Sequence, residues 1–121
     1  MIQTIRLFML FEAATFVAAS LIHSGVFITG YEDPAARIAE GIIAAVLLLG
    51  LILTFIWPGW TRWLGLLTQS FALLGTLVGL FTIAIGIGPS TVPDIVYHAG
   101  IVVVLVWGLI VAARARPEIA S

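Results

Sequence analysis

Five ionisable residues stand inside long apolar runs of this sequence: Glu12, His23, Glu40, Asp94 and His98, with Gln69 and Tyr97 as polar neighbours. An ionisable group in such a setting is costly in lipid and marks a functional site by default. His23 and His98 are the two histidines of the chain, and each offers an imidazole nitrogen. Glu40 and Asp94 offer carboxylate oxygen. Two imidazoles with one or two carboxylates suit a transition metal ion, whether Zn, Fe, Mn or Cu. A three-ligand centre with one open position would support metal-dependent or redox chemistry. The sequence holds no His-x-x-x-His or His-Glu-x-x-His motif, so this expectation rests on depth alone.

Depth is what groups these residues. At about 1.5 Å per helical residue, His23 lies roughly 7 Å below the end of a first span, and Glu40 and His98 each about 9 Å into a second and a fourth. Asp94 stands four residues before His98, on the same helix face, and Tyr97 is adjacent. Asp94 also fits a helix N-cap. Arg37 precedes Glu40 by three residues and is placed to pair with it or with an anionic ligand. The competing reading of this group is a set of interfacial polar residues that water reaches and no ligand uses.

A second chemistry open to the same histidines is haem b, with His23 and His98 as opposed axial ligands. Small residues follow each, in His23-Ser24-Gly25 and His98-Ala99-Gly100, and Arg37 could meet a propionate. Glu40 at the same depth is an awkward neighbour for a porphyrin face. Such a chain would serve as a subunit of a larger electron-transfer assembly. Polar groups at two depths also fit a small proton or cation transporter. An accessory subunit without catalysis is the remaining class. No sequence feature identifies a substrate or assigns a catalytic residue, so enzyme and non-enzyme readings both stand.

The deeper polar pair is Glu12 with Gln69. Glu12 lies about 10 Å and Gln69 about 12 Å from the inner, cytoplasmic ends of their spans, again at about 1.5 Å per residue. A neutral carboxylic acid hydrogen-bonded to the amide would fix helix register; a proton relay or a contact to a quinone is the functional alternative. Glu12 and His23 are separated by about 1100° of helical turn and share a face to within roughly 20°.

The elements that must position these groups follow from composition. Of 121 residues, 62% are apolar and 9% charged. A soluble domain carries roughly a quarter charged residues, so lipid must be the solvent for most of this chain. Four segments reach the roughly 20 apolar residues needed to cross a bilayer, at about 5–28, 34–57, 61–87 and 92–114. Asp33-Pro34 reads as a helix start and Pro58-Gly59 as a stop. Gly86-Ile87-Gly88-Pro89 ends the third span, Thr91 to Asp94 has capping-box spacing, and Pro117 lies beyond the fourth. Short loops predict an all-α protein with four transmembrane helices in one antiparallel up-down-up-down bundle and a single domain. The first apolar run is too long for a signal peptide and is expected to be retained.

Arginines set the orientation. Arg6, Arg62, Arg114 and Arg116 fall on one side against Arg37 on the other, which predicts a multi-pass protein of the cell (inner) membrane with both termini cytoplasmic. Trp57, Trp60 and Trp63 cluster as an interfacial belt on that same side. The chain has no lysine, no cysteine and a formal charge of -1. Nucleic acid is therefore a poor partner, and thiolate chemistry is excluded. Gly65, Ala72, Gly79 and Gly86 recur every seven residues, with Gly75 beside them. Such a stripe serves helix packing within the chain, or contact with a second copy or a larger membrane complex.

Overall fold

The computed structural model describes residues 1–116, so Pro117 lies outside the described residues. Four long helices account for nearly all of them: α1 (Ile2–His23), α2 (Pro34–Ile56), α3 (Thr61–Ala84) and α4 (Val92–Arg114), with a 3-10 turn over Pro58–Trp60. There is no strand among the described residues. Each helix is long and apolar enough to cross a membrane, and no more than 33% of any such span is buried inside the protein. The remaining surface is largely leucine, isoleucine, valine and phenylalanine. That surface needs lipid, and the four spans suggest a multi-pass membrane protein.

Helix ends follow local chemistry. Asp33 caps α2 by accepting from the Ala36 amide at 2.9 Å, with Pro34 in the first turn. The Thr91 hydroxyl accepts from the Asp94 amide, and Asp94 Oδ2 accepts from the Thr91 amide at 3.2 Å, which completes a capping box. The first and third helices stop earlier than hydropathy alone suggests. Gly25, with φ of +78°, lets the amides of Gly25 and Val26 turn back onto the carbonyls of Ile22 and Leu21. Gly86, with φ of +84°, does the same beyond Ala84. These are glycine-dependent helix stops, and the apolar residues Val26 to Ile28 lie beyond the first of them.

Two buried clusters hold the helices together. Ala13, Phe16, Ile43, Ala44, Leu47, Ala72, Ile101 and Leu105 form one, drawn from all four helices. Ile5, Met9, Ala112 and Ala115 form the other, towards the Arg6 end. Small residues set the spacing. A methyl added at Gly65 would sit 2.7 Å from Ile5 Cγ2, and one at Gly75 would sit 2.7 Å from Ile43 Cδ1. Ala72 is fully buried and Gly79 lies against His98. Thus Gly65, Ala72 and Gly79 are occupied by contacts within the chain, while Gly86 closes a helix. At the Arg6 end, the Arg6 guanidinium donates to the Thr54 carbonyl at 2.7 Å and to its hydroxyl at 3.1 Å. It also stacks 3.9 Å from the Phe55 ring centroid. Arg62 Nη2 donates to the Ala113 carbonyl at 3.3 Å.

Candidate functional site

The last turn of α1 carries His23 into the interior, where it meets side chains from two other helices. Its Nδ1 faces Glu40 Oε1 on α2 and its Nε2 lies 2.9 Å from Asp94 Oδ1 on α4. The imidazole is 4% exposed, Glu40 5% and Asp94 6%, so water screens none of the three well. A ring nitrogen bonds a carboxylate oxygen only through a proton between them, so this line of three groups holds shared protons. Asp94 is pinned from its other side, since its Oδ2 belongs to the Thr91 capping box. Thr91 is the N-cap and Asp94 serves the helix start from the third position through Oδ2, while its Oδ1 faces His23.

His98 is set differently. Its Nδ1 lies 2.7 Å from the Asp94 backbone carbonyl. A carbonyl only accepts, so Nδ1 carries a proton, and in the neutral tautomer that fits this contact Nε2 holds the lone pair. That nitrogen points at α3, where a methyl on Gly79 would lie 3.1 Å from it. Of the four histidine ring nitrogens, three are thereby engaged with Glu40, Asp94 Oδ1 and the Asp94 carbonyl. Among the described residues, no set of three or more histidine, aspartate and glutamate side chains stands in metal-holding geometry. Asp94 joins the two histidines, one through its side chain and one through its carbonyl.

Beside this line lies a cavity of about 230 Å³ between α2, α3 and α4, walled by Phe16, Glu40, Gly75, Gly79, Tyr97 and His98 among others. Glu40 Oε2 and the Tyr97 hydroxyl are buried without a hydrogen-bond partner. The Tyr97 ring packs edge-on against Phe16 and His98, at centroid distances of 6.1 and 5.6 Å. Arg37, read from the sequence as a partner of Glu40, is exposed and makes no side-chain hydrogen bond or ion pair among those of the described residues. Its backbone carbonyl instead accepts from Ser20 Oγ at 2.8 Å.

The deeper pair converges without bonding. Glu12 and Gln69 are fully buried and both reach Gly108 on α4. Gln69 Nε2 donates to the Gly65 carbonyl at 3.0 Å and to that of Gly108 at 3.4 Å. Gln69 Oε1 and both Glu12 oxygens have no partner. Gly108 is the residue that sequence reasoning passed over. A glycine in the run Val102 to Val111, where every other residue is large and apolar, was the available signal. In comparisons with known proteins, the chain matches no family model, no described protein and no solved structure.

Proposed function

We propose that this chain is a single-domain, multi-pass protein of the cell membrane, and that its Asp94–His23–Glu40 line is the proton-binding element of a small proton/cation transporter. The four helices cross alternately as an up-down-up-down bundle with both termini cytoplasmic. Contacts between the start of α1 and the end of α2, and between the start of α3 and the end of α4, support that order. In it, His23, Glu40 and Asp94 lie in the outer half.

One observation carries the reading. Glu40 gives one oxygen to His23 and leaves the other buried and unpartnered, and the residue is one of those that line a cavity. Two carboxylates in apolar surroundings need compensating positive charge. Protonated His23 supplies one positive charge against the two. A monovalent cation arriving at Glu40 from the cavity side supplies one as well, so that proton can leave as the cation enters and the net charge of the line is unchanged. The same balance run backwards releases the cation.

Proton flux tests this. Purified protein in vesicles loaded with a pH-sensitive dye, with sodium, potassium or manganese salts on the opposite side, should dissipate an imposed pH gradient faster than protein-free vesicles. Glu40→Gln should return the rate to the protein-free value, while Glu32→Gln in the loop should not. Equal rates for wild type and Glu40→Gln would reject the reading.

A second reading keeps the transition metal as a resident ion on Glu40 Oε2 and His98 Nε2. Its support is the His98 Nδ1–Asp94 carbonyl contact, because a ligating imidazole usually donates its other N–H to such a group. Elemental analysis of the purified chain separates the two: stoichiometric metal, lost in His98→Ala and in Glu40→Ala, would favour this one.

A further inference from the structure

We infer that the cavity between α2, α3 and α4 takes a small organic cation, a protonated amine carrying a ring-sized apolar body. The inference rests on Glu40 as the cation seat and adds the chemical class of the occupant.

The first argument is the polarity of the wall. Its polar side chains are Asp33, Glu40, Thr76, Thr82, Tyr97 and His98. The Thr76 hydroxyl donates to the Ala72 carbonyl at 2.8 Å and the Thr82 hydroxyl to the Gly79 carbonyl at 2.7 Å, so their protons are spent on their own helix. Asp33 is an acceptor, and its Oδ1 already caps α2. Glu40 Oε2 has no partner, and His98 has its proton on Nδ1. The lining residues therefore bring mainly acceptors, with the Tyr97 hydroxyl as their one side-chain donor left without a partner among the described residues. An occupant that satisfies such a wall brings donors of its own. An ammonium group has three and no lone pair.

The second argument is size and the rest of the lining. A buried apolar cavity of about 150 Å³ admits benzene. The 230 Å³ here leaves room for a ring plus a short charged arm. Apart from the polar groups, the wall is alanine, glycine, isoleucine, valine, proline and Phe16. Aromatic rings at Phe16 and Tyr97 also favour a cation over a neutral group. A bare metal ion would use little of this apolar surface.

Benzylammonium and benzyl alcohol have the same ring and nearly the same size, and differ in charge. Titration calorimetry on the full chain in detergent should show saturable benzylammonium binding, at least tenfold tighter than benzyl alcohol. Glu40→Gln should weaken it at least tenfold and Glu32→Gln should leave it unchanged. Ala39→Phe, which enters the cavity from an exposed position of α2, should also weaken it at least tenfold. Equal affinity for the alcohol, or unchanged binding in Ala39→Phe, would overturn the assignment. If proton flux still depends on Glu40 in that case, the cation seat survives and only the organic occupant falls. If neither flux nor binding depends on Glu40, both fall.

Discussion

Gln69 Oε1 and Glu12 Oε2 approach Gly108, and neither these two oxygens nor Glu12 Oε1 has a hydrogen-bond partner. An unpaired charged carboxylate in such a place is too costly to keep, whereas one proton carried by Glu12 and aimed at Gln69 Oε1 satisfies both side chains. Glu12→Gln should therefore leave thermal stability in detergent within about 1 kcal/mol of wild type, since a neutral donor replaces a neutral donor. Gly108→Ala should not be tolerated so well. Its methyl would lie 2.0 Å from Gln69 Oε1 and 2.9 Å from Glu12 Oε2, and overpacking of this kind costs about 1–3 kcal/mol. Unfolding of Glu12→Gln with the loss seen for Gly108→Ala would instead point to a charged, paired Glu12. The types and depths of Glu12, His23, Glu40, Asp94 and His98 were legible in the sequence because an ionisable residue in an apolar run is conspicuous. Their pairings were not. Asp94 and His98 share a helix face by spacing, yet the His98 ring is drawn back along its own helix to the Asp94 carbonyl and points at the gap left by Gly79. Spacing on one helix does not record which neighbour leaves room.

Hydropathy located all four helices, and it overran two of their ends for one reason. It measures preference for an apolar solvent and carries no information about backbone turning. Val26, Phe27 and Ile28 are apolar, but α1 ends at His23 because Gly25 adopts φ of +78°. The stop matters to the site, since it puts His23 in the last turn, where the Asp33 amide can donate to the His23 carbonyl at 2.9 Å and hold the start of α2 beside it. A side chain with a Cβ pays about 1–2 kcal/mol in that left-handed conformation. Gly25→Ala and Gly86→Ala should each lower stability by about that amount. Gly100, inside α4 with open space around the site of a Cβ, is the contrasting case. Gly100→Ala should be neutral or stabilising by up to about 1 kcal/mol, through the entropy of the unfolded chain. A loss at Gly100 equal to that at Gly25 would show that the helix ends are not set by glycine geometry.

At the scale of the whole molecule, charge is distributed unequally between the two ends of the helices. Arg6, Arg62, Arg114 and Arg116 gather at one end, with the exposed Trp57, Trp60 and Trp63. Glu32, Asp33 and Asp94 gather at the other, with Arg37 as the one cation of that end. In the proposed orientation, which follows the bias of arginine towards the cytoplasm, the His23–Glu40–Asp94 line lies in the outer half, where a cation from the external phase would reach it. The chain has no cysteine, so single-cysteine variants need no prior substitution. A membrane-impermeant maleimide applied to intact cells should label Glu32→Cys, in the loop between α1 and α2, and should leave Gln3→Cys unlabelled until the membrane is opened. The reverse pattern would turn the molecule over and place the cavity on the cytoplasmic side. Its contacts would be unchanged, and the proposed transporter would then load its cation from within. Labelling of both positions from outside would contradict an odd number of crossings between them, and with it the alternation of the four spans.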